Sequence, residues 1–343
     1  MTTARLALTR EQILAHRRRV GALEARLPRG ADSLRRAASM GLTDSMPRAA
    51  VFSVHARVEG TQPTSWEDPA FVQTWGPRFS AYVIAAEDRA VFTLGRLPDD
   101  PAGLRRAVGT ADRLEAFLDG RRMPFGQAGH AMGISPNALR YAAPTGRVLI
   151  RWDGARQPTI WTVPAPDVDP GDARRELARR FLHGSGPATA DAFGNWAGIK
   201  AKRAAAIVDS LAAELTGVRT PVGDGWILAT DEASFRGSGS ERPDPTAVRL
   251  LPSGDAYTLH QGVDRELLVP DAARRALLWT SRVWPGAVLA GGEIVGTWRR
   301  AGATVTVRPW ATLSAAQREA VSREAGTLPL PGPTSSPLVR WDD

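Results

Sequence analysis

The chain has 343 residues, 43% hydrophobic and 23% charged, so two or three globular domains with sizeable cores can form. It has no cysteine, which excludes disulfides, thiolate metal sites and cysteine nucleophiles, and no apolar run nears the ~20 residues that cross a bilayer. The formal charge of +8 suits a polyanion, because released counterions drive nucleic-acid binding; yet lysine stands only at Lys200 and Lys202, and abundant arginine beside Ala, Gly and Pro also follows from GC-rich coding.

The first residues, Met1 to Arg5, lack the apolar stretch of a signal peptide, so a cytoplasmic protein is expected, nucleoid-associated when bound to DNA. Thr9 with Gln12 three positions on predicts a capped helix start, and residues 35–40 continue helical. Thr43-Asp44-Ser45-Met46-Pro47 reads as another helix start, leading into a helix over 49–57 with Val51, Val54 and Val58 on one face. Residues 71–86, rich in aromatics, predict a helix followed by a strand.

A second unit follows. Residues 112–118 predict a short helix stopped at Gly120, residues 125–133 another, and Ser135-Pro136 open a third. Two β-rich runs, 148–152 and 159–163, flank an Asp153-Gly154 loop and predict a hairpin. Helix, helix, helix, hairpin is the order of a winged helix.

Residues 164–171, rich in Pro and Asp, predict a linker. The same order then repeats: helices over 172–182, 186–196 and 200–215, and a hairpin over 222–228 turning at Asp224-Gly225. Residues 235–245 read as a loop, 248–308 as short strands with Gly turns, and 314–325 as a helix capped by Ser314 with Gln317. The Pro-rich end from Pro329 reads as frayed or surface-draped. The expected domains are 1–100, winged-helix-like and carrying the candidate site; 101–165 and 166–245, winged helices; and 246–343, a β domain with a terminal helix.

Chemistry is sparse. His16, His55, His130, His183 and His260 have neither HxxxH nor HxH spacing, and there is no esterase elbow or P-loop, so no metal and no cofactor is expected. Lys200, Lys202 and Arg203 open the helix best placed to enter a major groove, while Arg140, Arg147 and Arg151 would decorate the second unit's helix and wing. Double-stranded DNA is therefore the expected partner, with solvated helix faces as the plain alternative. A monomer is expected. The sharpest candidate site is the 41–47 segment, where hydroxyls and one carboxylate gather at a helix start, an arrangement that capping alone also explains.

The pattern Gly186-Pro187-Ala188-Thr189, then Phe193, Trp196 and Gly198, resembles a signature of the AlkZ-like winged-helix DNA glycosylase superfamily. So do Leu250-Leu251-Pro252-Ser253-Gly254-Asp255, Trp284-Pro285-Gly286 and Val295-Gly296-Thr297-Trp298-Arg299, in the family's order over nearly the whole chain. The resemblance implies an α+β protein: tandem winged helices and a small C-terminal β-barrel-like domain around a DNA-binding concavity. It also implies excision of bulky N-alkylated purines, without metal or cofactor. In active members two glutamines separated by one residue fall on Thr43 and Ser45, so this chain offers two hydroxyls in their place. Thr43, Asp44 and Ser45 are the candidate catalytic residues, with Asp44 as a general base. In an extended segment Asp44 points away from its neighbours. Three readings stay open: a glycosylase, a non-catalytic DNA-binding regulator or lesion binder, and an interaction protein whose winged helices bind protein.

Overall fold

The computed structural model describes residues 5–46, 48–154, 156–237, 243–330 and 337–342. A short strand, β1 (Leu6–Ala7), precedes helix α1 (Arg10–Val20), where Thr9 and Gln12 form the reciprocal cap their spacing predicts. Helix α2 (Ala31–Ala37) leads into β2 (Leu42–Thr43) and α3 (Ala49–His55). The 71–86 stretch differs from the expected helix and strand: it forms a hairpin of β3 (Phe71–Trp75) and β4 (Ala81–Ala85), then α4 (Arg89–Thr93). Arg78 and Phe79 take left-handed φ values of 55° and 57°, turning the chain back, and Val72, Thr74, Val83 and Ile84 suit a pleated surface.

Helix α5 (Pro101–Leu118) begins well before residue 112 because Asp100 accepts from the Gly103 N–H at 2.8 Å and Pro101 takes the first position. Its buried face is Ala107, Ala111, Leu114 and Leu118. Then come β5 (Met123–Pro124), α6 (Phe125–Ala131), a 3-10 helix (Pro136–Thr145) and the hairpin of β6 (Val148–Arg151) and β7 (Thr159–Thr162). Helices α7 (Pro170–Ser185), α8 (Ala190–Ala197) and α9 (Ala201–Asp209) precede the hairpin of β8 (Leu215–Thr220) and β9 (Gly223–Leu228). This hairpin turns at Pro221-Val222, not at Asp224-Gly225: Thr220 faces Gly223, which takes a φ of 126°. Asp224 and Gly225 instead pair within β9.

The remainder holds α10 (Glu232–Arg236), β10 (Val248–Leu251), α11 (Asp264–Leu268), α12 (Ala272–Leu278), β11 (Gly286–Ala290), β12 (Glu293–Ala301), β13 (Thr304–Pro309), α13 (Ala315–Gly326) and β14 (Leu338–Trp341). The loop read over 235–245 and the Pro-rich tail fall partly outside the described residues. Beyond the tail's undescribed part, β14 pairs in parallel with β13, because alternating Leu338, Val339, Arg340 and Trp341 complete a sheet edge rather than fray.

The chain is thus α+β, with three sheets in the orders β1-β8-β9, β2-β4-β3-β6-β7-β5 and β10-β11-β12-β13-β14. The last sheet is open: β10 and β14 lie at opposite edges, which corrects the barrel-like expectation. The six-stranded sheet joins the first and second stretches where Gln73 of β3 faces Ile150 of β6. Helix α3 is enclosed by two cores. Val51 and Phe52 pack on Leu250, Val288 and Trp298 of the C-terminal sheet, while Ala50 and Val54 pack on Leu42 and Val83. Residues 43–46 and Arg48, which lead into α3, therefore sit at the junction of two layers. Among the described residues no helix is long and apolar enough to cross a membrane.

Candidate active site

The segment expected to start a helix is first a strand. Thr43 pairs with Tyr82 of β4, and the Asp44 N–H donates to the Ala81 oxygen at 2.8 Å. Arg48 then turns the chain into α3 from the left-handed region, with a φ of 67°. Pro47 lies outside the described residues. Capping comes neither from Thr43 nor from Ser45 but from Asp44, whose Oδ1 accepts from the Ala50 N–H at 3.2 Å.

The extended geometry separates the three candidate side chains. Thr43 is buried and donates its hydroxyl to the Gly254 oxygen at 2.7 Å. Ser45 is exposed. Asp44 is only 1% exposed, and its Oδ2 accepts from Gln73 Nε2 at 2.8 Å and from Arg48 Nη1 at 3.3 Å. Burial pushes its carboxyl up to about 7, with the Arg48 charge and the Ala50 and Gln73 hydrogen bonds pulling the other way. Such a group holds or releases a proton near neutrality, but it is almost entirely shielded from solvent.

Residues that sequence reasoning passed over complete the site. Gln73 Oε1 accepts from the Trp152 N–H at 2.7 Å, and Arg48 Nη2 donates to the Trp152 oxygen at 2.7 Å. Arg48 and Arg151 both lie over the Trp66 ring, 3.6 and 4.1 Å from its centroid, and Arg151 also pairs with Glu67 at 2.8 Å. A cavity of about 700 Å³ opens beside them, lined by Trp66, Glu67, His130, Arg151, Asp153 and Arg156 among others. Reading 71–86 as a strand would have exposed Gln73, a polar residue in an otherwise apolar alternation.

The expected DNA-facing cations divide. Lys200 is 86% exposed at the start of α9 and Lys202 is exposed on it, whereas Arg203 turns inward to the Leu97 oxygen and to Asp99. Arg147 is held by Asp112 and Glu115, and Arg140 lies over Trp75 and Phe125. Arg151 lies on the hairpin with its side chain 46% exposed while pairing with Glu67.

One histidine cluster escaped any spacing rule because its members are far apart in sequence. His16, His183 and Asp231 bring ligand-type atoms within 4.8 Å of one another. Both His16 nitrogens are already engaged, with Ser234 Oγ at 2.9 Å and the His183 oxygen at 3.1 Å, while His183 Nδ1 meets Asp231 at 2.9 Å. Burial holds His16 down at about 4, so it stays neutral as a hydrogen-bonded core residue.

A solved structure, the Streptomyces sahachiroi DNA glycosylase AlkZ, superposes with a TM-score of 0.76 at 17% sequence identity, covering 98% of this chain and 100% of that one. That likeness shows the fold. No curated protein matches. The family model described as DNA glycosylase AlkZ-like matches residues 34–329, a span that includes the 43–45 segment, the Gly186-Pro187 motif and the Gly254 loop. With most of its length inside that match, the chain belongs to the AlkZ-like DNA glycosylase family.

Proposed function

We propose that this protein binds double-stranded DNA and excises N-alkylated purines by hydrolysing the N-glycosidic bond, without metal or cofactor. The two helix–helix–helix–hairpin stretches, bounded as 101–165 and 166–245, serve as winged helices on the duplex; residues 1–100 carry the site, and 246–343 brace it. The reading is of a monomer in the cytoplasm, on the nucleoid when bound to DNA.

The observation that supports catalysis is the setting of Asp44, a buried carboxyl held by Gln73 and Arg48 and pushed by burial up to about 7, between Thr43 and Ser45, the positions that match the family's paired glutamines. An N7-alkylated purine is already cationic, so its bond to C1′ breaks with the electron pair returning to the ring and neutralising it. The developing charge falls on the sugar. Ionised Asp44 in a water-poor site would stabilise that charge through space, offset in part by the paired Arg48 guanidinium. Ser45, exposed, positions the attacking water; Thr43, whose hydroxyl proton is engaged by Gly254, offers a lone pair. The proton released by water passes to solvent or to Asp44.

A second reading, a lesion-binding protein without excision, is favoured by one specific observation: Thr43 and Asp44 are both buried and hydrogen-bonded inward. Single-turnover excision from duplexes containing N7-alkylguanine separates the two. The catalytic reading expects wild-type cleavage, loss in Asp44→Asn, and a gain in Thr43→Gln/Ser45→Gln. Binding with no excision by the wild type supports the second reading and removes the first.

A further inference from the structure

We propose that Gln73 and Arg48 are positioning residues for Asp44, locked to the β6–β7 hairpin through the main chain of Trp152, so that seating a duplex on the hairpin reorients the carboxyl. The inference rests on the duplex-binding, Asp44-dependent reading above. It adds residues outside the motif segment and a physical link between the hairpin and the site.

The link is a closed circuit. From Asp44 Oδ2 one path runs through Gln73, whose Nε2 donates at 2.8 Å and whose Oε1 accepts from Trp152 at 2.7 Å. The other runs through Arg48, whose Nη1 donates at 3.3 Å and whose Nη2 reaches the Trp152 oxygen at 2.7 Å. Trp152 thus uses both main-chain groups on the two donors that hold Asp44. Both ends of the Gln73 amide are spent, so this side chain, 5% exposed, cannot meet substrate and acts only through Asp44.

Arg48 is fixed more tightly still. It holds a left-handed backbone that L side chains rarely adopt, and Trp66 lies under its guanidinium at 3.6 Å. Arg151, next to Trp152 and exposed on the hairpin, shares that ring. A phosphate drawing Arg151 away from Trp66 and Glu67 would shift the strand end that carries Trp152. Asp44 would feel the change first through its hydrogen bonds.

Arg48 is the charged group that acts on Asp44, and Arg48 in turn feels the charges of Arg151, Asp153 and Glu67. Arg48 lies before α3, Arg151 and Asp153 on the hairpin, and Glu67 beside Trp66. Of these, Arg48 alone forms an ion pair with the carboxylate among the described residues.

The test reads Asp44 itself. Carbon-13 carboxyl resonances of aspartate-labelled protein are titrated against pH, with Asp44→Asn assigning the signal. Arg48→Met and Gln73→Leu should each move the Asp44 midpoint upward, by a unit or more for Arg48→Met, and Arg48→Lys should restore part of that shift. Adding unmodified duplex to the wild type should also move the midpoint. Midpoints unchanged by both substitutions in folded protein overturn the positioning role, whatever the excision assay shows. A duplex that binds without shifting Asp44 overturns the hairpin coupling. If Arg48→Met does not fold, Arg48→Lys and Gln73→Leu decide the first point. If the duplex does not bind, the function reading fails, while the titration of the free variants still decides the positioning role.

Discussion

Thr43 donates its hydroxyl to the main-chain oxygen of Gly254 across 211 residues of sequence, at 2.7 Å. Gly254 holds a φ of 73°, and a Cβ added there would lie 2.8 Å from Thr43 Oγ1. The motif segment and the Gly254 loop therefore shape each other. Gly254→Ala should destabilise by about 1–2 kcal/mol from the left-handed backbone alone, plus the clash. Combining it with Thr43→Ala should recover the clash but not the backbone cost. Urea unfolding of the single and double variants measures this as a coupling energy. Strictly additive losses would deny the contact.

Asp44 predicts an unusual sign for stability against pH. Its carboxyl is raised from 3.8 to about 7, so the folded protein binds this proton more tightly than the unfolded chain does. The ionised group therefore costs stability progressively as pH rises from about 4 to 7, and the cost is constant above that. Relative to wild type, Asp44→Asn should become more stable with rising pH, by up to about 1.4 kcal/mol per pH unit, levelling above neutrality. Denaturation midpoints at pH 5, 6, 7 and 8 test it. An advantage that shrinks as pH rises would show a carboxyl lowered rather than raised.

Much of the architecture is legible where local chemistry is decisive. Thr9 with Gln12 and Ser314 with Gln317 form their capping boxes, and the β6–β7 hairpin lies on its two β-rich runs, whereas of the hairpin expected over 222–228 only β9 falls there, β8 forming ahead of it over 215–220. The departures share a cause. Residues 71–86 carry buried β4, where Ala81, Tyr82, Val83, Ile84 and Ala85 are all covered, and a strand buried on both faces loses the period-two signal. The open C-terminal sheet and the parallel β14 depend on long-range pairing that no local pattern encodes. At the site, the segment is visible from Thr43, Asp44 and Ser45. Its partners are not, because Gln73 lies in the ambiguous 71–86 stretch and Trp152 takes part through its main chain.

Lys200 and Lys202 give the most direct test of the duplex interface. Lys200 lies 4.0 Å from Asp100 and largely in solvent, so little of the described structure depends on it. Lys200→Ala/Lys202→Ala should leave stability within about 0.5 kcal/mol. It should weaken binding to unrelated duplexes alike and reduce the salt slope by up to about 2, near 0.9 for each phosphate no longer neutralised. Fluorescence anisotropy at several salt concentrations measures both. A slope equal to wild type would remove the start of α9 from the interface.

The buried pair Arg57–Asp255 fixes the loop that Thr43 leans on. Arg57 gives two hydrogen bonds, at 2.7 and 2.8 Å, to a carboxylate that also accepts from Ser53 Oγ at 2.7 Å and from the Tyr257 N–H at 2.9 Å. Arg57 and these hydrogen bonds hold Asp255 below the ordinary carboxylate range against its burial, so its stabilisation is present above pH 4 and lost on acidification. Arg57→Met leaves that charge unpaired in a closed interior and should cost about 3–5 kcal/mol, whereas Arg57→Met/Asp255→Leu should recover much of it. Because Asp255 adjoins Gly254, the single variant should also loosen Thr43, seen as faster amide exchange at residues 43 and 254. Equal losses in the single and double variants would mean that packing, not the unpaired charge, sets the cost, and the loop would then owe its position to its apolar neighbours.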